Sequence, residues 1–345
     1  MEVNLAFVGF GNVARAFARM LESRRELLDS RYSIQTRVKG IATARHGSIL
    51  TTTEIDLLEA VDLVERGQSL VSTNGASECA DSLGLIERCE ADVVFETSPL
   101  NPTDGEPAVS YIRRALERGI SVVTANKGPI AFAYRELAGL AKQRAVHFRF
   151  EGTVMDGAPV FNLVELCLPG VKVTGFSGVL NSTTNLVLTR MEEGASFDQA
   201  LEEARALGVT EADSAHDIDG WDAAVKTVAL ANVLMNADAR PNDVSRRGIR
   251  GITVQEVKSA GQSSRATRLV SRAELIGSEL KLSVAPEQVA LASPMGAARG
   301  TSNVLVLNTD LMGDIAIFES DPGVQQTAYA LLSDLLTICA SVRNG

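Results

Sequence analysis

An apolar segment at the start of the chain leads into a turn with two glycines and then into a helical pattern. Residues 3–9 form a short, continuous apolar run, which is typical of a strand buried on both faces of a parallel sheet. The turn reads Gly9-Phe10-Gly11-Asn12-Val13-Ala14, and apolar residues at helical spacing follow it. This order of strand, glycine turn and helix predicts an α/β fold that begins with a nucleotide-binding unit.

The glycine turn has the chemistry that a dinucleotide requires. Gly9 permits the tight turn, Gly11 lets a pyrophosphate approach the backbone, and Ala14 lets the helix pack closely on the strand. The first turn of the helix offers its N–H groups to phosphate. A plain turn is the alternative, but the position between a strand and a helix favours dinucleotide binding. The predicted cofactor-binding residues here are Gly9, Phe10, Gly11, Asn12 and Val13.

Strand and helix patterns alternate through the first half of the chain. Buried-strand patterns recur at residues 34–42, 91–96 and 121–124, and helical patterns occur at residues 55–66, 79–88 and 108–118. This alternation predicts a Rossmann-type, doubly wound parallel sheet over residues 1–147.

The pattern changes near residue 145. Strand patterns follow at residues 147–150, 171–180, 276–284 and 301–307, and helical patterns at residues 197–206 and 221–235. We expect a second, α+β domain over residues 148–305. In the remaining segment, residues 306–345, a helix at 326–340 is expected to return to the nucleotide-binding domain.

The end of the second predicted strand bears on the choice between NAD and NADP. Residues 40–46 read GIATARH, without an acidic residue to hold a ribose 2′-hydroxyl. Arg45 is suitably placed to accept a 2′-phosphate, although it could also be a solvated loop charge. We therefore expect NADP to be preferred over NAD.

Polar residues follow the next two predicted strands, where α/β sheets place ligands. The hydroxyls of Thr97 and Ser98 could bind the ribose or the nicotinamide side, although Ser98-Pro99 could also simply open a turn. Lys127 follows the apolar run at 121–124, which favours a site lysine over a surface one.

The charge balance excludes some classes of function. The chain has 345 residues, with 43 acidic against 33 basic side chains and a net charge of −10, which disfavours a nucleic-acid partner.

The N-terminus lacks the pattern of a signal peptide, and we expect no membrane span because no apolar stretch approaches about 20 residues. Four cysteines without a CxxC pair suit a reducing, cytoplasmic location.

Part of the carboxylate excess is concentrated between residues 211 and 222, just before an apolar helical pattern. Asp222 and Lys226 are four residues apart and would share one face of that helix. They could form only a cap and a surface ion pair. Alternatively, the carboxylates could hold the ammonium of a small zwitterion while the lysine serves its carbonyl or hydroxyl oxygen.

Together these segments resemble homoserine dehydrogenases over nearly the whole chain. The strongest part is residues 211–226, which match the family signature EADPxxDxxGxDxAxK except that Ser214 replaces the proline. The other matching segments are the glycine turn, Thr124-Ala125-Asn126-Lys127, Glu151-Gly152-Thr153-Val154 and Leu180-Asn181-Ser182-Thr183-Thr184-Asn185.

The resemblance implies NAD(P)H-dependent reduction of L-aspartate 4-semialdehyde to L-homoserine, in the route to threonine, methionine and isoleucine. It implies that Lys226 is the acid/base residue on the substrate oxygen and that Lys127 is its partner near nicotinamide and substrate. Glu211 and Asp222 would hold the amino group, and Asp217 would support the lysine. Thr183 would lie on the substrate side and Gly208 would contact the cofactor.

The family also binds a monovalent cation, usually sodium, and usually forms a homodimer through its second domain. The positions that correspond to the cation ligands are Glu151, Val154, Asp156 and Ala158. Because the sequence stops at Gly345, we expect no C-terminal regulatory domain and therefore no inhibition by threonine through one.

One segment departs from the family pattern. The cofactor-side loop, usually rich in glycine, reads ESDPGVQQTA over residues 319–328, where Gly323 and the Thr327-Ala328 step persist. This departure motivates an alternative, a related oxidoreductase that acts on another small aldehyde or amino acid. A catalytically silent relative is a third possibility, against which the retained carboxylates and lysines argue.

Overall fold

The computed structural model describes residues 1–73, 75–210, 214–277 and 279–344. They divide into two compact units. Unit 1 consists of Met1–Gly157 and Gly323–Gly345, and unit 2 of Ala158–Pro322. In the part of the chain that the structure describes, no helix is long and apolar enough to cross a membrane.

The regular elements of the described residues are numbered in chain order. The strands are β1 (Glu2–Val8), β2 (Gln35–Ala42), β3 (Ser48–Leu50), β4 (Ser77–Glu78), β5 (Val93–Glu96), β6 (Ser121–Thr124), β7 (Phe148–Arg149), β8 (Val173–Val179), β9 (Ser245–Arg246), β10 (Arg265–Ile276), β11 (Glu279–Ala290), β12 (Asn303–Thr309) and β13 (Gly313–Glu319). The helices are α1 (Asn12–Ser23), α2 (Arg25–Tyr32), α3 (Leu57–Glu65), α4 (Ser82–Arg88), α5 (Ala108–Glu117), α6 (Lys127–Arg144), α7 (Ser182–Glu192), α8 (Phe197–Ala206), α9 (Ala215–Ile218), α10 (Trp221–Leu234), α11 (Val254–Gln262), α12 (Pro294–Ala297) and α13 (Val324–Asn344).

Unit 1 is a doubly wound sheet, as the sequence predicts. Its strand order is β4-β3-β2-β1-β5-β6-β7, and the pairs from β2 to β7 are parallel. Side chains of β1 alternate between two cores: Leu5 and Phe7 pack with α1, α3 and α13, whereas Ala6 and Val8 pack with α4, α5 and α6. Because β1 pairs with both β2 and β5, the strand order reverses there, and ligands of such sheets bind at the carboxyl ends beside this point.

Unit 2 is built on a sheet with the order β13-β12-β8-β10-β11-β9. The hairpin of β10 and β11 pairs over its whole length, from Arg265 with Ala290 to Ile276 with Glu279. The loop that follows β8 leads directly into α7, and α10 contacts β10 and β11. These connections bring the end of β8 and the start of α10 to the same part of the unit.

One face of this sheet is partly open. Directly paired side chains on neighbouring strands lie on the same face, so Arg272, Ser177, Val306 and Ala316 form one row across four strands. Phe318 projects on the same side as Ala316, two residues away, and its exposed fraction is 47%. We call the surface of these five residues the open face.

The boundaries of the two units differ from the predicted ones. A boundary between residues 305 and 306 would cut β12, which pairs with both β8 and β13 in the sheet of unit 2. Residues 306–322 therefore lie in unit 2, and only the part of the predicted C-terminal segment that begins at Gly323 lies in unit 1. Unit 1 also extends past residue 147, to Gly157.

Candidate active site

Lys226 and Asp222 lie one turn apart on the first half of α10. The Lys226 ammonium is 3.5 Å from the Asp222 carboxylate, and each side chain is 14% exposed. Lys226 also donates a 2.7 Å hydrogen bond to the Leu180 carbonyl, where β8 has just ended. The lysine is therefore held by the end of a strand as well as by its own helix, which is not the geometry of a solvated surface pair.

Asn181 lies at the centre of the polar cluster in unit 2, although no specific role was predicted for it. Its amide nitrogen donates to Asp217 at 2.7 Å and to Asp222 at 2.9 Å. Its amide oxygen accepts the Thr184 N–H at 2.8 Å and so caps α7. A buried amide between two carboxylates and a helix N-terminus fixes all three. The only signal in the sequence was its place beside Thr183 in the family motif.

Asp217 contacts hydroxyls and an amide rather than the lysine. One of its oxygens accepts from Thr183 and from Thr210, both at 3.1 Å, and the other accepts from Asn181. Among the described residues, the polar partners of Lys226 are the Leu180 carbonyl and Asp222. The implied support of Lys226 by Asp217 is therefore indirect and passes through Asn181 and Asp222.

The turn between α9 and α10 sets the direction of Asp222. Gly220 begins α10 with a φ of +79°, a conformation that favours glycine. Arg250 donates to Asp219 at 2.9 Å, and the Arg246 guanidinium stacks 3.8 Å from the centre of the Trp221 ring. These contacts hold the start of the helix from outside the polar cluster.

Two further residues of unit 2, Glu211 and Gly208, are predicted from the sequence to belong to the site. Glu211 lies outside the described residues. Gly208 is exposed, with a φ of +70°, and its N–H closes the end of α8 by donating to the Arg205 carbonyl at 2.9 Å.

The glycine turn of unit 1 fits a dinucleotide. A side chain on Gly9 would lie 2.7 Å from the Thr97 backbone, and its φ is +87°, so glycine is required by the fold. Gly11 has an ordinary φ of −78°, and a Cβ there would meet no atom of the described residues within 4 Å. The space above Gly11 is therefore open for a ligand. No side chain caps α1, and its first turn holds no acid, so Asn12 and Val13 present their N–H groups there, beside the buried Phe10.

Arg45 stands at the tip of a small closed loop beside this turn. Gly9 donates to the Ala42 carbonyl at 2.9 Å, which places the end of β2 next to the glycine turn. The Thr43 hydroxyl donates to the Gly47 carbonyl at 3.0 Å and closes the loop. Arg45 is exposed, and none of the described residues gives its side chain a hydrogen bond or an ion pair.

The strand ends after β5 and β6 also meet at this edge. The Thr97 hydroxyl donates to the Gly9 carbonyl at 3.0 Å, and the Ser98 N–H donates to the buried Glu96 carboxylate at 2.8 Å. Burial raises the pKa of Glu96 above its ordinary value. Lys127 is half-buried and begins α6, directly after its cap Asn126. Glu96 was not predicted as a site residue, because in the sequence it is only the last residue of an apolar strand.

The residues that correspond to a cation site lie in the segment after β7. Glu151 and Val154 are buried, and Ala158 is half-buried. Asp156 has a φ of +42°, and its carboxylate accepts a 2.7 Å hydrogen bond from Thr327 on α13. That side chain is thus used to hold α13, and its backbone carbonyl is the group that could serve a cation.

Gly323 lies directly before α13. Its carbonyl accepts the Thr327 N–H at 3.1 Å, and a Cβ on Gly323 would meet its nearest atom, in Gln326, at an ordinary 3.4 Å. The acids of this loop have local partners, since Glu319 accepts from Asn303 and Asp321 accepts from Thr301. They therefore close the end of unit 2 and need no ligand to explain them.

Comparisons with known proteins cover both units. A family model described as the NAD-binding domain of homoserine dehydrogenase matches residues 9–151, and one described as homoserine dehydrogenase matches residues 159–336. The chain is 36% identical to the NAD(+)-dependent homoserine dehydrogenase of Pseudomonas canavaninivorans, over 98% of this chain and 96% of that protein. A putative homoserine dehydrogenase from Archaeoglobus fulgidus superposes with a TM-score of 0.86 at 32% identity, over 97% of this chain and 99% of the other. A hyperthermophilic archaeal homoserine dehydrogenase in complex with NADPH gives a TM-score of 0.84 at 30% identity, over 99% of this chain and 98% of the other.

Proposed function

The chain belongs to the homoserine dehydrogenase family of NAD(P)-dependent oxidoreductases, and we propose that Lys226 and Lys127 carry its chemistry with NADP as the preferred cofactor. The observation that carries this assignment is the position of the Lys226 ammonium, between the Leu180 carbonyl and Asp222. An ammonium has three N–H donors. Among the described residues, one N–H donates to the Leu180 carbonyl and a second faces Asp222, which leaves the third for a substrate oxygen.

The reaction converts an aldehyde into an alcohol, or the reverse. The cofactor, when bound, would supply the hydride from its nicotinamide ring as NADPH or accept it there as NADP+. In the reducing direction the substrate oxygen gains negative charge as its carbon receives the hydride. Lys226 stabilises that charge and donates the proton that completes the hydroxyl; in the oxidising direction it takes the proton back. Lys127 acts beside the nicotinamide and the substrate.

Recognition of L-homoserine and L-aspartate 4-semialdehyde depends on the carboxylates of unit 2. Asp222 and Glu211 hold the substrate ammonium, and Thr183 lies on the substrate side. Asp217 acts through Asn181, whose amide joins it to Asp222. In the free enzyme the same amide offsets the repulsion between these two carboxylates.

The cofactor binds at the carboxyl edge of the unit 1 sheet. Gly9, Phe10, Gly11, Asn12 and Val13 hold the pyrophosphate, and Arg45 accepts the 2′-phosphate of NADP. Thr97, Ser98, Lys127, Gly208 and Gly323 provide the remaining contacts. Two of the three named relatives differ here, since one is called NAD(+)-dependent and another was solved with NADPH.

The preference for NADP is tested by the KM for each cofactor. We expect a lower KM for NADP than for NAD in the wild-type enzyme. Since one charged hydrogen bond contributes about 1.5–3 kcal/mol, Arg45→Ala should raise the KM for NADP roughly tenfold or more. The KM for NAD in the same variant is the internal control and should not change. A clear NAD preference in the wild type would contradict the assignment.

Three further properties belong to this proposal. A monovalent cation, such as sodium, is held by Glu151, Val154, Asp156 and Ala158, and replacing sodium by tetramethylammonium should lower activity. Two chains form a homodimer through the open face of unit 2, where Phe318 is exposed. The enzyme works in the cytoplasm.

The substrate assignment is tested with a panel of alcohols. Purified enzyme is incubated at alkaline pH with NADP and, in turn, L-homoserine, L-serine, L-threonine and 4-hydroxybutyrate, which lacks the amino group. We expect NADP reduction with L-homoserine and little with the others. Activity confined to another member of the panel would indicate a different substrate, and no activity with any would indicate a silent relative.

A further inference from the structure

Glu96 is a fully buried carboxylate at the end of β5, and the proposed function assigns no role to it. One of its oxygens accepts both the N–H and the hydroxyl of Ser98, and the other accepts the Thr124 hydroxyl at 2.8 Å. Burying a carboxylate is unfavourable unless its oxygens are well satisfied. Burying an alcohol or an amide here would cost less free energy, so the presence of a carboxylate needs an explanation.

Asn126 closes a ring of hydrogen bonds with Glu96. Its backbone N–H donates to the Thr124 hydroxyl at 2.9 Å, and its side-chain amide donates to the Ser98 carbonyl at 3.1 Å. Glu96 and Thr124 are directly paired on neighbouring parallel strands. The ring of Glu96, Ser98, Asn126 and Thr124 therefore locks the loop after β5 to the loop after β6.

Two residues of the cofactor edge are attached to this ring. Lys127 follows Asn126, whose side-chain oxygen caps α6 by accepting the Gly128 N–H at 3.0 Å. Thr97 lies between Glu96 and Ser98 and bonds the Gly9 carbonyl. A displacement of the ring would move Lys127 and the glycine turn relative to each other.

We propose that Glu96 is a positioning residue, which holds Ser98 and Lys127 in the geometry that the cofactor requires. The inference rests on the proposed function, in which Ser98 and Lys127 contact NADP. A carboxylate suits the task because it accepts several hydrogen bonds from both loops at once and, when ionised, donates none.

The test compares Glu96→Ala with Glu96→Gln. A misplacement of about 1 Å can cost roughly 100-fold in rate, so Glu96→Ala should lower kcat for homoserine oxidation about 10- to 100-fold. The KM for homoserine should stay within about twofold, because Asp222, which holds its ammonium in the proposed function, belongs to unit 2. Glu96→Gln keeps the shape and an acceptor for Ser98, so its kcat should stay within about threefold of wild type.

Lys39→Met is the matched control. Lys39 is another buried charged side chain of unit 1, and its ammonium donates to the Thr52 carbonyl at 2.8 Å, outside the ring. Its loss should lower Tm but leave kcat within about twofold of wild type. If Glu96→Ala does not fold, Thr124→Val serves instead. It has nearly the same shape and removes the hydroxyl that links Glu96 to Asn126, and it should lower kcat about tenfold.

The outcomes separate this inference from the proposed function. A wild-type kcat in Glu96→Ala, or in Thr124→Val if that variant replaces it, would show a purely structural role and overturn the inference. A Glu96→Gln variant as slow as Glu96→Ala would overturn it too, in favour of a direct effect of the charge. A wild-type enzyme that does not oxidise homoserine would instead overturn the proposed function on which the inference rests.

Discussion

The side-chain amide of Asn181 holds together the polar cluster on which the proposed mechanism depends. One side-chain nitrogen holds Asp217 and Asp222, and the oxygen on the same carbon caps α7. Hydrogen bonds to charged groups contribute about 1.5–3 kcal/mol each. A single residue thus stabilises unit 2 and keeps two carboxylates together, although their charges repel each other.

Asn181→Asp separates these two tasks. The aspartate keeps the capping oxygen but loses both amide donors and places a third carboxylate beside Asp217 and Asp222. We expect kcat/KM for homoserine to fall at least about tenfold and the free energy of unfolding to fall by about 2–4 kcal/mol, with NADPH affinity unchanged. Asn232→Asp is the control, since Asn232 is buried in the same unit and bonds Ala239. Loss of stability without a change in kcat/KM is expected there. An equal kinetic effect in both variants would contradict the role of Asn181.

The raised pKa of Glu96 should make the free energy of unfolding depend on pH. Burial raises its pKa above the ordinary value of 4.5, so the folded chain holds this proton more tightly than the unfolded chain. The stabilisation is complete below the unfolded pKa and is lost as pH rises through the folded pKa. We expect the free energy of unfolding of the wild type, relative to Glu96→Gln, to decrease above pH 4.5 with a slope of at most about 1.4 kcal/mol per pH unit. Urea unfolding over a pH series measures it, and a difference that increases with pH would refute the shift.

At the scale of single elements, the start of α1 shows how one turn serves both fold and ligand. Gly9 is required by the backbone and by the contact with Thr97, whereas Gly11 is required by neither. Packing among the described residues does not explain the second glycine, whereas the proposed pyrophosphate site above the turn does.

Alanine at each glycine should give opposite results. Gly9→Ala forces a strained φ and a clash with Thr97, so it should lower the free energy of unfolding by about 2 kcal/mol or more. Gly11→Ala has no clash and should leave Tm almost unchanged, but its methyl group occupies the space of the pyrophosphate. The KM for NADP should then rise at least about tenfold, since a lost charged hydrogen bond alone has that effect. A Gly11→Ala variant with unchanged KM would contradict the assigned cofactor site.

Helices and strands with a regular pattern of apolar residues were predictable from the sequence, and those with an irregular pattern were not. The predicted bounds of β6 and α8 match the structure. No helix was predicted at α6, because it begins with Lys-Gly-Pro and is buried on much of its surface. No strand was predicted at β10, because charged residues interrupt its apolar pattern, although Arg268 is fully buried against Glu192.

The parts of the candidate site that lie within a sequence motif were predictable, and the other parts were not. The signature at 211–226 placed Asp222 and Lys226 together, and the structure brings them within 3.5 Å. Asn181 and the Leu180 carbonyl are distant in sequence from Lys226, and only the folded chain shows their contacts. The same holds for the ring around Glu96, which joins two separate strand ends.

At the scale of the whole molecule, the open face of unit 2 supports the homodimer proposed above. Phe318 and Ala316 are exposed in the middle of a sheet edge whose neighbours, Val306 and Ser177, are apolar or small. Exposed apolar surface of this kind marks an interface.

Phe318→Asp should dissociate the dimer, because it buries a charge without a partner. Light scattering should give twice the chain mass of 36.7 kDa for the wild type and the single mass for the variant. Leu58→Asp is the control, since Leu58 is an exposed apolar residue of unit 1 and its variant should stay dimeric. A monomeric wild type, or a dimeric Phe318→Asp variant, would contradict the interface.

In the proposed function, this chain oxidises L-homoserine with Lys226 as the acid/base residue. The most direct measurement is kcat for NADP reduction with L-homoserine, in wild type and in Lys226→Met, with NADPH binding measured in both. Lys258→Met, at an exposed lysine of the same unit, is the matched control. We predict turnover in the wild type and the control, and a loss of at least about 1000-fold in Lys226→Met with NADPH affinity intact. A Lys226→Met enzyme with near-normal kcat would exclude Lys226 as the acid/base residue.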